Sequence, residues 1–171
     1  MNMLFDFTVD KATATIHVTR EFPAGLDLVW DAFTKAEILD QWSAPKPWRT
    51  ETKEMDFREG GRWVYAMVSP ENVSHWSLVD FIKIEPKSSF SAKNCFCDEN
   101  GDPAGNGFTS SQTTTSFKAG AETTTVQIVK KMADLAQLEQ FIAKGFKEGS
   151  AMAMNNLEDL LTKLSRQKEL K

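Results

Sequence analysis

Apolar and polar positions alternate from Ala12 to Phe22: Ile16, Val18 and Phe22 fall on one side, His17, Thr19 and Glu21 on the other. A period of two over this length predicts a half-buried strand. Arg20 shares the apolar face, so its head either snorkels to a rim or pairs with an acid. Pro23-Ala24-Gly25 ends the strand. Leu28, Val29, Ala32 and Phe33 then follow helical spacing, with Asp27 as N-cap or first-turn acid. Thr34, with Glu37 three residues on, predicts a capping box for a second short helix, Lys35 to Trp42. Pro45 and Pro47 enforce extended chain beyond it.

Six further segments carry strand patterns. Arg49 to Phe57 is weakly amphipathic, which predicts an edge strand. Glu59-Gly60-Gly61 turns the chain into Arg62 to Val68, where Trp63, Tyr65 and Met67 share one face. Ser74 to Ile84 is a long strand stopped by Pro86. Phe90 to Cys97 follows, with Phe90, Ala92, Asn94 and Phe96 in one set. Asp98 to Gly107 is rich in turn formers and predicts a loop. Phe108 to Phe117 and Thr123 to Lys131 are rich in threonine, which favours strand. The chain closes on one long amphipathic helix, Ala133 to Leu164, with an apolar stripe from Leu135 and Leu138 through Ile142, Phe146, Ala153, Leu157 and either Leu160 or Leu161 to Leu164. Gly145 and Gly149 inside it predict a bend or a close approach, since each weakens a helix by roughly 1 kcal/mol relative to Ala. Consecutive strands joined by short turns make an antiparallel sheet, and one helix against its concave side makes an α+β, two-layer domain. The whole chain of 171 residues reads as a single domain with its core at about 12–164.

The net charge of −4 and the lack of basic runs argue against nucleic acid or an anionic membrane as partner. No stretch is apolar enough to span a bilayer, and Met1 to Asp10 lacks the pattern of a secretory signal. Cys95 and Cys97 are too close on one strand to bridge, which fits reduced thiols in the cytoplasm. The two histidines, His17 and His75, have no spacing that suits a metal, and no nucleophile elbow, phosphate loop or dinucleotide fingerprint occurs. No catalytic residue, metal site or cofactor is assigned.

What stands out is bulk. The chain has five tryptophans, twelve phenylalanines and seven methionines. A helix laid on a curved sheet does not fill the whole concavity, so inward-facing rings predict the wall of an apolar cavity. Pockets of this kind carry a few polar groups that orient a ligand. The predicted lining is Phe33, Trp42, Trp63, Tyr65, Met67, Phe81, Phe96 and Phe146, with Tyr65, His75, Ser77, Asn94 and Ser150 as polar groups. Met154 is expected to be partly buried, and Trp42 and Trp48 to stand near the cavity entrance.

Several strings resemble the helix-grip superfamily, which includes steroidogenic-acute-regulatory lipid-transfer domains and birch-pollen-allergen-like proteins. They are Arg20 to Ala24, Leu28 to Thr34, Leu39 to Trp42, Asp56 to Trp63, Phe96 to Gly101 and Gly145 to Gly149. Within that superfamily the chain is most similar to homologues of the heat-shock-protein-90 ATPase activator. The resemblance implies an about seven-stranded sheet gripping a long C-terminal helix, with two short helices between the first strands and a pocket beneath. It departs from the family at Gln41-Trp42, where a Trp-Trp pair is common, at Val79, where glycine is common, and at Ser150, where a large aromatic is common. The leading expectation is a protein that binds a small hydrophobic molecule. The resemblance also carries a chaperone-associated interaction module with a role in stress response, and a polyketide cyclase or dehydratase. The module would use an outer patch at Leu78, Ile82 and Ile84. The enzyme would need His75, Tyr65 or Arg20 as a cavity-facing acid or base. A long edge strand leaves a homodimer open.

Overall fold

A computed structural model describes residues 4–103 and 111–169, with side chains to 167. Eight strands form one antiparallel sheet, in the order β1-β2-β8-β7-β6-β5-β4-β3. In chain order these are β1 (Phe5–Asp10), β2 (Thr15–Phe22), β3 (Arg49–Met55), β4 (Arg62–Val68), β5 (Ser74–Glu85), β6 (Ser89–Phe96), β7 (Ser111–Ala119) and β8 (Thr124–Lys131). Helices α1 (Leu26–Thr34) and α2 (Ala36–Trp42) link β2 to β3, and α3 (Leu135–Ala143) and α4 (Phe146–Glu169) follow β8. The architecture is the expected α+β one, with one strand more. The extra strand, β1, alternates Phe5, Phe7 and Val9 with Asp6, Thr8 and Asp10, and lies along β2 at the sheet edge. β3 forms the other edge, as its weak amphipathicity predicts.

The helices cover one face of the sheet. Phe22, Ile16 and Val126 from the sheet meet Val29, Leu138, Leu157 and Leu161 from the helices, all essentially inaccessible. Trp30 of α1 sits at the centre of an aromatic cluster, with Phe117 at 5.0 Å, Phe57 at 5.8 Å and Phe90 at 6.0 Å between ring centroids. Most of these pairs meet edge to face, the geometry the ring quadrupole favours. Thr34 does not cap α2. It ends α1, and its hydroxyl donates to the Trp30 carbonyl at 2.8 Å, so Lys35 takes the cap position without a side-chain bond. A buried threonine at a helix end bonds back to the carbonyl four residues before it, and the capping box is lost.

The C-terminal helix is two helices. Gly145, with φ +89°, turns the chain between α3 and α4, a conformation glycine adopts without Cβ strain. Asp134 caps α3 by accepting from the Gln137 amide at 2.9 Å. Leu135, placed in the apolar stripe by spacing, is exposed as the first residue of α3. Met154 is fully buried and Met152 exposed.

The outer face differs from its expected form near β4 and β5. Val64, Ala66 and Val68 are buried there, and Leu78 is 4% exposed rather than open to a partner. The turn after β6 lies over them: a Cβ on Gly101 would meet Arg62 Nη1 at 2.8 Å and Val64 Cγ2 at 3.1 Å. Lys53 Nζ donates to the Glu99 carbonyl from the other side. A bulge between Phe81 and Lys83 shifts the phase of β5, so Ile84 turns inward against Phe90 while Ile82 stays exposed. Arg62 pairs with Glu54 at 2.8 Å and Asp56 with Arg58 at 2.7 Å, instead of Asp56 with Arg62. Across the hairpin, Asp56 and Arg62 are joined through the backbone, the Asp56 amide donating to the Arg62 carbonyl at 2.9 Å.

Arg20, inward on β2 and buried, holds α4 to the sheet. Its guanidinium donates to Glu158 Oε1 at 2.9 Å and Asn155 Oδ1 at 3.0 Å, and lies over the Phe5 and Phe22 rings. Arg20→Ala is expected to cost about 3 kcal/mol in urea unfolding, through lost packing and an unmatched Asn155, and Arg20→Met about half of that, since the aliphatic stem is kept.

Candidate functional site

Between the sheet and α4 lies a cavity of about 430 Å³. The inward faces of β4, β5 and β6 supply Trp63, Tyr65, Met67, Val79, Phe81 and Asn94, and α4 supplies Phe146, Ser150, Ala153 and Met154. Phe33 of α1 and Trp42 of α2 close one side. The structure therefore brings together Phe33, Trp42, Trp63, Tyr65, Met67, Phe81, Asn94, Phe146 and Ser150 from the predicted set.

Three predicted residues stand elsewhere. His75 is exposed at the start of β5 and meets Trp48 with its ring tilted, the centroids 5.4 Å apart. Ser77, opposite Tyr65 in the register, is not among the lining residues and hydrogen-bonds Tyr65. Phe96 keeps the parity of Asn94 but lies at the strand end, 39% exposed, where helical cover has stopped. Parity places a side chain on a face; only the reach of the covering helices decides where the cavity ends. Parity also turns Cys95 and Cys97 outward. Burial raises both thiol pKa values, that of Cys97 to about 11 with Cys95 and Asp98 adding to it, so both stay protonated.

The aromatic wall is fixed by hydrogen bonds. Trp63 Nε1 donates to Thr52 Oγ1 at 3.0 Å, and that hydroxyl donates in turn to Asp40 Oδ1 of α2. Trp63 stacks on Tyr65 at 4.0 Å, nearly parallel. Burial holds the Tyr65 phenol above its ordinary pKa, outweighing the opposing Ser77 bond, so it is a neutral hydrogen-bonding group. Trp42 Nε1 donates to the Ala32 carbonyl at 3.0 Å and its ring meets Phe33 edge to face. The Trp42 ring is thus both scaffold and lining. Of the three acid–base candidates, only Tyr65 reaches the cavity: His75 is outside it and Arg20 is committed to α4.

Thr113, Thr115 and Ile128 complete the wall from β7 and β8. Their alternation was visible in sequence, but threonine carries no apolar signal to mark the inward side. Thr113 Oγ1 donates to Asn94 Oδ1 at 2.8 Å. Directly opposite Thr113 in the register stands Lys130, two residues beyond Ile128 on the same inward face. Its Nζ lies 5.6 Å from the Phe141 ring, and Phe141 packs on the cavity-lining Phe146. Burial lowers the Lys130 pKa from 10.5 to about 8. Among the described residues no group of three His, Cys, Asp or Glu converges as a metal site, and no helix is long and apolar enough to cross a membrane.

Comparison with known proteins gives a consistent picture. The model of the family described as "Activator of Hsp90 ATPase homolog 1-like protein" matches residues 23–162. Protein Ms6760 from Mycobacterium smegmatis superimposes with a TM-score of 0.84 at 25% identity, over 94% of this chain and 97% of its own. A protein from Arthrobacter aurescens gives 0.85 at 21% identity, over 92% and 91%. One from Staphylococcus epidermidis gives 0.81 at 24%, over 91% and 94%. These likenesses show the fold. No curated protein matches the chain.

Lys130 makes stability depend on pH in a definite direction. Below about 8 the folded protein carries a charge drawn partly out of water that the unfolded chain keeps hydrated. From about 8 to 10.5 the folded form has shed the proton while the unfolded form still holds it, so this residue's effect on stability improves as pH rises. Lys130→Met is expected to be more stable than wild type at neutral pH, with the gap closing across that window. Urea unfolding of both proteins against pH measures it.

Proposed function

This chain belongs to the activator of Hsp90 ATPase homolog 1-like family, and from that premise we propose that it is a carrier or sensor of a small hydrophobic molecule held between the sheet and α4. The supporting observation is the cavity itself. Its volume of about 430 Å³ falls within the range of small-molecule sites, and its wall is mostly aromatic and aliphatic with a few polar groups. Ser150 stands on the face of α4 that looks into the void, where a larger side chain would reduce it. The two thiols, protonated and unable to bridge, fit a reducing cytoplasm.

The chaperone-associated reading draws on the family description alone. It needs an exposed apolar patch, and of the outer residues expected to form one, Leu78 is covered and Ile84 turns inward, which leaves Ile82 alone exposed. The enzyme reading rests on Tyr65 as sole cavity-facing acid–base candidate, with a pKa raised away from neutrality. The binding reading is therefore preferred.

Titration with the neutral fluorophore phenylnaphthylamine tests it. Saturable fluorescence enhancement is expected for wild type, displaced by hydrophobic competitors. Ser150→Trp should abolish the enhancement while keeping stability within about 1 kcal/mol of wild type, because the ring enters space already present. Wild-type protein without saturable enhancement, or an unaffected Ser150→Trp variant, would remove the reading.

A further inference from the structure

Two cations point inward from adjacent strands, and they differ in one respect. Arg20 on β2 meets Glu158 and Asn155. Lys130 on β8 meets no carboxylate among the described residues. The segment 104–110, which lies outside them, contains no acidic residue in its sequence, so it supplies no counter-charge either. The side chains of Lys168 and Glu169 are likewise outside the description, but they belong to the far end of α4. That end is 23 positions from Phe146, about 35 Å along a helix. Lys130 is half-buried, and an ammonium drawn partly out of water without an anion is costly; proteins ordinarily pair it, neutralise it or use it.

The surroundings of Lys130 point to use. Its register partner Thr113 and its strand neighbour Ile128 line the cavity, and its amine rests on Phe141, which backs the lining residue Phe146. The four-carbon stem of lysine is flexible, so a change of rotamer carries the ammonium along this wall. The polar groups already on the wall nearby are donors. Asn94 spends its oxygen on Thr113, which leaves its NH₂ to donate, and Ser150 offers a hydroxyl. No acidic side chain is among the cavity-lining residues. The interior thus presents an apolar, ring-lined body at one side and donors at the other, with the Lys130 ammonium beside that wall rather than on it.

We propose that the cavity takes an amphipathic organic anion, an aromatic or acyl body with one carboxylate or sulfonate head, and that Lys130 is the counter-charge for that head. The anchor rests on the cavity being a ligand site, and it adds the chemical class of the ligand. A neutral ligand would fill the same space and leave the ammonium unmatched.

Two fluorophores that share one aromatic body separate the claims: neutral phenylnaphthylamine and its acidic relative anilinonaphthalene sulfonate. Wild type is expected to bind the sulfonate more tightly by roughly tenfold, the worth of one charge-assisted hydrogen bond. Lys130→Met should lose that preference and keep its affinity for the neutral fluorophore, which also certifies that the variant is folded. Lys130→Arg should retain the preference. Binding of the neutral compound with no preference in wild type, or a preference that persists in Lys130→Met, overturns the anchor and leaves the cavity reading standing. Binding of neither fluorophore by wild type overturns both. Should Lys130→Met fail to fold, the wild-type ratio and the Lys130→Arg variant still decide the matter.

Discussion

One straight helix cannot fill the concave face of an eight-stranded sheet, and most of this molecule can be understood as a response to that mismatch. At one end the chain solves it with α1: Trp30 and the phenylalanines around it form a dense plug, joined to Leu157 and Leu161 of α4. At the other end no such plug exists, and the void persists. Interiors pack at near-crystalline density, so a void endures only where its walls are prevented from collapsing. Here Trp63 is held through Thr52 to Asp40, and Trp42 through the Ala32 carbonyl. Rigid rings tied at their polar edges keep the space open without leaving an indole N–H unsatisfied.

The same economy separates the two inward cations. Arg20 is fully engaged and fastens the helix to the sheet, so its charge serves the fold. Among the described residues Lys130 is engaged by an aromatic ring and no carboxylate, and the depressed pKa records what its partial burial costs. A residue that weakens the empty protein and matches an anionic ligand is a familiar exchange of stability for function. It also accounts for a lysine, with its mobile point charge, where an arginine's five fixed donors would demand permanent partners.

The patterns of β2 and β4 to β8 were legible because one face of each is largely buried and a period of two cannot hide, whereas β1, which buries neither face fully, was passed over. Trp63, Tyr65 and Met67 followed from alternation alone, and so did the inward direction of Asn94. The failures have common causes. Thr34 scored as a cap because its preference for the next helix is local, whereas the carbonyl it found belongs to the turn behind it. Leu78 reads as outward from parity, correctly, yet it is buried because a turn more than twenty residues later folds across it. Ile84 changed sides through a bulge that no residue type announces. Phe96 and His75 obey parity but lie where the helical layer ends. Lys130 carried a signal, the inward phase of Thr124, Val126 and Ile128, but a lysine at a strand end looks like a solvated terminus.

Local chemistry in the chain was sufficient for most of the elements, though not for β1, and for the α+β class and most of the rings that face inward, because these depend on periods and turn residues a few positions apart. Gly145 could be read as a weak point, though not as the place where one helix becomes two. What needed the tertiary structure was everything set by distance across the sheet: which rings enclose space, which merely end a strand, and which buried charge has a partner. Those outcomes depend on where separate segments meet. A linear pattern records the face a side chain takes and is silent about what lies opposite.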